Sequence, residues 1–149
     1  MPATVTYIDS GVLIFAAQGT TAAAALALPF LADPGREYVT SDYVRLEVLP
    51  QATFHRRSEE LAFYNLFFAT TTRSIPTSDA LIKYALEEAC KTGIAALDAI
   101  HIACAVFAGA EEIITSEKIN KPMHRTKLVK VVSIFPASSP AKNPWWKFW

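Results

Sequence analysis

The chain has 149 residues, 52% of them hydrophobic, with 14 Lys and Arg against 14 Asp and Glu. That length fits one domain rather than two and can bury enough surface to fold without disulfides or metal, while the apolar content excludes a disordered chain. The zero formal charge hides a division: residues 1–117 hold all 14 acids and seven bases, and residues 118–149 hold seven bases and no acid. Such asymmetry suits an anionic partner or internal neutralisation.

Thr4–Ile8 is β-branched and aromatic and runs into Asp9-Ser10-Gly11, which predicts a buried strand ending in a turn. Val12–Gln18 and Thr21–Ala32 have alanine-rich helical composition, broken near Gly19 and again at Asp33-Pro34-Gly35. Glu37–Thr40 predicts a second strand. Ser41 or Asp42 then caps a helix with a Tyr43, Leu46, Leu49 apolar face, kinked or ended by Pro50. Ser58–Ala69 predicts another helix, its Leu61, Phe63, Tyr64, Phe67 and Phe68 too apolar for a solvated surface. Arg73–Ile75 predicts a brief strand. A helix then opens at Pro76-Thr77-Ser78-Asp79, runs to Cys90 and closes near Gly93.

Ala95–Ala108 is almost wholly apolar and predicts a buried helix. Glu112–Thr115 and Val129–Ile134 are β-branched strands. Short strands alternating with helices imply a three-layer α/β fold around a parallel sheet. The expected organisation is one domain over residues 1–135 and a Pro- and aromatic-rich tail over 136–149.

Cys90 and Cys104 lack CxxC or CxxH spacing and lie in apolar helical patterns, so both are expected to be buried free thiols in a reducing cytoplasm. The first base is Arg36 and Asp9 interrupts the first apolar run, which argues against a signal peptide. Gly93–Ala110 contains Asp98 and His101 and falls short of a span of ~20 uncharged residues. A cytoplasmic protein without a membrane partner is expected.

Four acids stand out against their apolar surroundings. Asp9 follows the first strand, Glu47 lies one and a half turns into the helix after the second, Asp98 opens the apolar helix, and Glu117 follows the strand ending at Thr115. Chemistry in open parallel sheets gathers beyond the carboxyl ends of the strands. Each acid alone has an ordinary reading, as a helix cap or a solvated side chain. Together they suggest more, because carboxylates buried among apolar neighbours need a compensating cation. An all-oxygen cluster suits Mg²⁺ or Mn²⁺, and such a site suits phosphodiester hydrolysis.

The order Tyr7-Ile8-Asp9-Ser10, Thr40-Ser41-Asp42-Tyr43-Val44-Arg45-Leu46-Glu47, Leu97-Asp98-Ala99-Ile100-His101-Ile102-Ala103 and Ile113-Ile114-Thr115-Ser116-Glu117 resembles the PIN-domain family. The short length and the Asp-Ala-Ile-His segment resemble its VapC-type toxin ribonucleases. The resemblance spans roughly Val5 to Ile134. It implies a PIN-like α/β/α fold with a metal-dependent ribonuclease centre, and an RNA substrate. By the same resemblance a cognate antitoxin is an expected partner. Asp9, Glu47 and Asp98 match the family's first three acidic positions and would coordinate Mg²⁺ or Mn²⁺. Glu117 occupies the position where the family more often has Asp, one methylene shorter, and Ile119 stands where many relatives carry another acid.

Ser10 and Thr115 neighbour two of the acids and could bond a carboxylate, or else cap a helix or close a turn. His101 shares a helical face with Asp98; a packed histidine bonded to backbone or carboxylate is the expected role. None of the three histidines has partners at zinc-ligand spacing. Lys118, Lys121 and Arg125 belong to a stretch without acids that begins right after Glu117, which makes it either a phosphate-binding rim or a loop that neutralises the acids. Asn143-Pro144-Trp145-Trp146-Lys147-Phe148-Trp149 carries four aromatics in seven residues, expected to pack on the domain or on a second copy in a homodimer. The alternative to a nuclease is a catalytically silent PIN-like scaffold that binds a protein or RNA. A nucleotide-binding Rossmann-like domain is disfavoured by the absence of any GxGxxG or GxxxxGK[ST] loop.

Overall fold

The computed structural model of the chain describes residues 2–136, so the aromatic tail lies outside the described residues. Five strands, β1 (Thr4–Ile8), β2 (Arg36–Ser41), β3 (Arg73–Ile75), β4 (Glu112–Thr115) and β5 (Lys130–Ser133), form one parallel sheet in the order β3-β2-β1-β4-β5. Among the described residues six α-helices connect the first four strands: α1 (Ser10–Gln18), α2 (Thr21–Leu31), α3 (Asp42–Phe54), α4 (Ser58–Thr70), α5 (Asp79–Thr92) and α6 (Ala96–Phe107); between β4 and β5 lies the short 3-10 turn Pro122–Arg125. Parallel strands need crossovers and are buried on both faces. Here α1 packs with α2, α3 and α4, and α5 packs with α6, giving the expected three-layer α/β/α architecture.

The apolar runs explain the core. Tyr7 and Ile8 of β1, Val39 of β2, and Ile113 and Ile114 of β4 are buried at the centre of the sheet. Leu13 from α1, Tyr64 and Phe67 from α4, Leu81 from α5 and Ile102 from α6 pack over them. Thr20, Ser41 and Ser78 each accept a bond from the backbone N–H three residues on and start α2, α3 and α5. Gly93, at φ 72°, closes α5 in the left-handed region that a glycine adopts without strain.

Two local expectations fail. The buried face of α3 is Val44, Val48 and Ala52, with Tyr43 and Leu49 partly buried against the core, whereas the expected Leu46 is 69% exposed; Pro50 sits inside the helix. Cys104 is buried but Cys90 is exposed, because α5 turns Leu81, Ala85 and Glu88 inward and leaves Cys90 off that face. Among the described residues no helix is long and apolar enough to cross a membrane.

The strand order places β1 between β2 and β4, and the crossovers on its two sides lead in opposite directions along the sheet. Their carboxyl ends therefore open a crevice beside Ile8, Ser41 and Thr115.

Candidate active site

β1 delivers Asp9 to the floor of this crevice. Its N–H donates to Ile114 O at 2.9 Å, which continues the β1–β4 pairing one residue past the strand. Asp9 occupies the N-cap position of α1 without bonding the helix backbone through its side chain. Its Oδ2 instead accepts from Thr115 Oγ1 at 2.9 Å. Thr115 Oγ1 in turn accepts from the N–H of Glu117 at 3.1 Å and so shapes the turn after β4. The first turn of α1 lies close against that turn: a Cβ at Gly11 would clash with Ser116 Oγ.

β2 delivers the next acid. Ser41 ends the strand and caps α3, so the helix begins at once and brings Glu47 over the crevice between the buried Val44 and Val48. Glu47 Oε1 accepts from Ser10 Oγ at 2.7 Å and meets His101 Nε2 in a short ion-pair contact. Asp98 and His101, three residues apart, project from one face of α6. His101 is 1% exposed. Its Nε2 lies 3.8 Å from Asp9 Oδ1 and 3.4 Å from Ser10 Oγ, and its Nδ1 lies 2.7 Å from Tyr7 Oη. Tyr7 Oη is also 2.7 Å from Ser41 Oγ. Side chains from β1, α1, β2, α3 and α6 thus form one chain of bonds, Ser41–Tyr7–His101–Glu47–Ser10.

Electrostatics follow from this geometry. Burial pushes the Asp9 carboxyl above its ordinary range, with the bond from Thr115 and the nearby His101 only partly offsetting it. Asp98 is raised to about 6, first by burial and then by the negative charges of Asp9, Glu117 and Glu47. At Glu47 burial also acts upward, but the bonds from His101 and Ser10 outweigh it and hold the carboxyl below its usual value. Burial opposes a charged His101, yet the bond to Glu47 and the charges of Asp9 and Asp98 prevail and raise it. The protonated ring can donate from both nitrogens, to Glu47 and to Tyr7, and the Tyr7 hydroxyl then donates to Ser41.

The structure therefore brings Asp9, Ser10, Glu47, His101 and Thr115 into direct contact. Asp98 and Glu117 join them through charge. Among the described residues no three His, Cys, Asp or Glu side chains are grouped so as to hold a metal ion by themselves. Lys118 and Lys121 line a cavity of about 280 Å³ with Glu117. Arg125 is elsewhere: its Nη1 donates to Thr92 O at 3.0 Å, at the end of α5, so the basic stretch does not run as one surface beside Glu117. Tyr7 and Ser41 were not legible as site residues. The available signal was a tyrosine in a fully buried strand, whose hydroxyl must find a polar partner.

The family model for the PIN domain matches residues 6–121. The structure is similar to a chain of the VapBC2 complex from Rickettsia felis bound to a DNA fragment from its promoter, with TM-score 0.65 and 14% identity over 87% of this chain and 98% of that one. It is also similar to a chain of a toxin–antitoxin complex from Klebsiella pneumoniae, with TM-score 0.64 and 21% identity over 87% of this chain and 98% of that one. At these identities the likeness concerns the fold. No curated protein sequence matches. Matched by the family model over most of its length, and built on the same fold as these complexes, the chain belongs to the PIN domain family, whose members are generally nucleases.

Proposed function

We propose that the protein is a Mg²⁺- or Mn²⁺-dependent ribonuclease and the toxin of a toxin–antitoxin pair. The observation that carries this reading is the grouping of Asp9, Glu47, Asp98 and Glu117 at one crevice, where the carboxyls of Asp9 and Asp98 are raised and the buried imidazole of His101, already bonded to Glu47, offsets their charge only in part. The donor set is all oxygen, which fits a hard divalent cation. Mg²⁺ commonly takes one or two carboxylates and leaves the remaining positions to water and substrate phosphate.

Asp9, fixed by Thr115, and Asp98 would hold the ion, with Glu117 beside them and Glu47 as a direct or outer ligand. When bound, the ion supplies an acidified water as nucleophile and offsets the charge that builds on the phosphodiester. His101 keeps Glu47 ionised and oriented, and Tyr7 fixes the tilt of the imidazole. Lys118 and Lys121 flank Glu117 on the side from which substrate phosphates would arrive. The proposed activity belongs to the cytoplasm, where its RNA is, and a protein antitoxin would restrain it.

Incubating purified protein with labelled RNA tests the reading. Cleavage is expected with Mg²⁺ or Mn²⁺ and not with EDTA, and an Asp9→Asn variant that cuts as well as wild type would falsify it. Growth arrest on expression, lost in the same variant, is the expected sign of toxin activity. A homodimer is also proposed; deletion of residues 143–149 with an unchanged molar mass would remove the tail from that interface.

A second reading, the catalytically silent scaffold, is favoured by Glu117 in the fourth acidic position together with Ile119 where many relatives carry another acid. Calorimetric titration separates the two: no binding at millimolar Mg²⁺ or Mn²⁺ supports the scaffold.

A further inference from the structure

The acidic crevice leaves one concentration of charge unused. Where α5 ends, Lys91, Arg125 and Lys127 border a cavity of about 400 Å³, with Glu88 the one acid in its wall. That carboxylate is already engaged: Glu88 is 5% exposed and its Oε2 accepts from Thr126 Oγ1 at 2.5 Å. Among the described residues no carboxylate lies within ion-pair distance of Lys91, Arg125 or Lys127. Arg125 is held by its bond to Thr92 O, beside Gly93, which leaves its other N–H groups for a second acceptor.

A helix C-terminus attracts cations, and that accounts for Lys91 in the last turn of α5 and for Arg125 on Thr92 O. It does not account for Lys127, nor for a cavity walled by three cations. The cavity is also tied to the acidic crevice twice. His124, next to Arg125, bonds Glu117 O through Nε2 at 3.0 Å, and the chain from Gly93 enters α6 just before Asp98. A polyanion that approaches four carboxylates is repelled unless flanking cations hold its neighbouring phosphates.

We propose that the Lys91–Arg125–Lys127 cavity is a phosphate subsite, which binds the backbone of the same RNA strand whose scissile bond lies at the acidic crevice. This rests on the ribonuclease reading and adds to it the direction in which the strand leaves the site. Contacts to backbone phosphates carry no sequence information, so the subsite contributes affinity equally to every sequence.

The test compares three forms of the full chain, each also made with Asp9→Asn so that binding is read on uncut RNA: wild type, Lys91→Gln/Lys127→Gln, and Arg56→Gln/Lys83→Gln, which loses the same charge elsewhere. Binding of single-stranded RNA is followed by anisotropy between 50 and 200 mM salt, and cleavage in Mn²⁺ is measured in parallel. The subsite predicts that the Lys91/Lys127 variant binds more weakly on all sequences, with a salt slope lower by about 1.4. The control should keep its slope, and KM should rise in the subsite variant while kcat holds. A Lys91/Lys127 variant with the control's slope and affinity overturns the subsite and leaves the nuclease standing. Wild type that binds RNA through these lysines but does not cut overturns the nuclease alone. Wild type that binds no RNA overturns both.

Discussion

At the amino end of the sheet, Glu112 opens β4 and is 7% exposed; at the carboxyl end, Asp9 follows β1 and is 7% exposed. The company of the two acids differs. Glu112 Oε2 accepts from Arg36 Nε at 2.7 Å and from Thr6 Oγ1 at 2.7 Å, and Arg36 donates again to Asp33 at 2.7 Å. Asp9 has one hydroxyl, the backbone N–H of Ser10 and a share, at 3.8 Å, of an imidazole already bonded to Glu47, whose own carboxylate adds negative charge. A guanidinium is a permanent cation inside the chain, so the amino end is complete as folded. The carboxyl end has more acid than built-in base and is suited to receive a cation from outside. Burial alone therefore does not distinguish the two carboxylates; incomplete compensation does.

Four experiments break or sharpen this contrast, in descending order of expected effect. Arg36→Ala strands Glu112 and should cost about 3–5 kcal/mol in urea unfolding, with cleavage per folded molecule unchanged; replacing Glu112 by Leu as well should recover part of the loss. Asp9→Asn should do the reverse. Cleavage should fall by roughly 100-fold or more, about 2.7 kcal/mol, while the melting temperature of the metal-free protein does not drop, because a raised carboxyl is exchanged for a neutral amide. Tyr7→Phe removes a partner from both His101 and Ser41 and should cost about 2 kcal/mol of stability with a fall in kcat.

The smallest effect is a dependence on pH. Asp98 and Asp9 are raised on folding, so their protonated forms favour the folded state and that contribution is lost as pH rises, for Asp98 between about 4 and 6. His101 is also raised; its contribution is complete below its unfolded value of about 6.5 and is lost as pH climbs through the folded one. Glu47, lowered on folding, acts oppositely, but its contribution fades only below its unfolded value of about 4.5. The metal-free protein should therefore melt at lower temperature at pH 8 than at pH 5. Asp98→Asn should flatten the slope, and saturating Mn²⁺, which competes with protons for the same oxygens, should reverse it. A flat profile with and without the metal would place the compensation elsewhere.

The four acids were legible because each interrupts an apolar pattern: Asp9 and Glu117 just past predicted strands, Glu47 on the helix after one, and Asp98 at the start of the apolar helix. The hydroxyls of Ser10 and Thr115 were legible as neighbours, and only the fold showed their partners. Thr115 and Asp9 are 106 residues apart, and Ser10 and Glu47 are 37 apart. The basic stretch after Glu117 read as continuous in sequence, yet the turn over Pro122–Arg125 sends Arg125 to the end of α5. Helix α3 shows the same limit. Val44, Val48 and Ala52 form one four-residue repeat and Leu46, Pro50 and Phe54 another, and composition does not say which faces the sheet.

By itself the sequence determined the element order, the parallel α/β architecture and the acids that interrupt it. Those features depend on side-chain periodicity and end signals that repeat within a few residues of chain. Tertiary structure decided which acids receive a counter-ion, which helix face is buried, and how Tyr7 and His101 hold Glu47. Those outcomes depend on groups distant in sequence meeting at one place, and no local pattern encodes the partner.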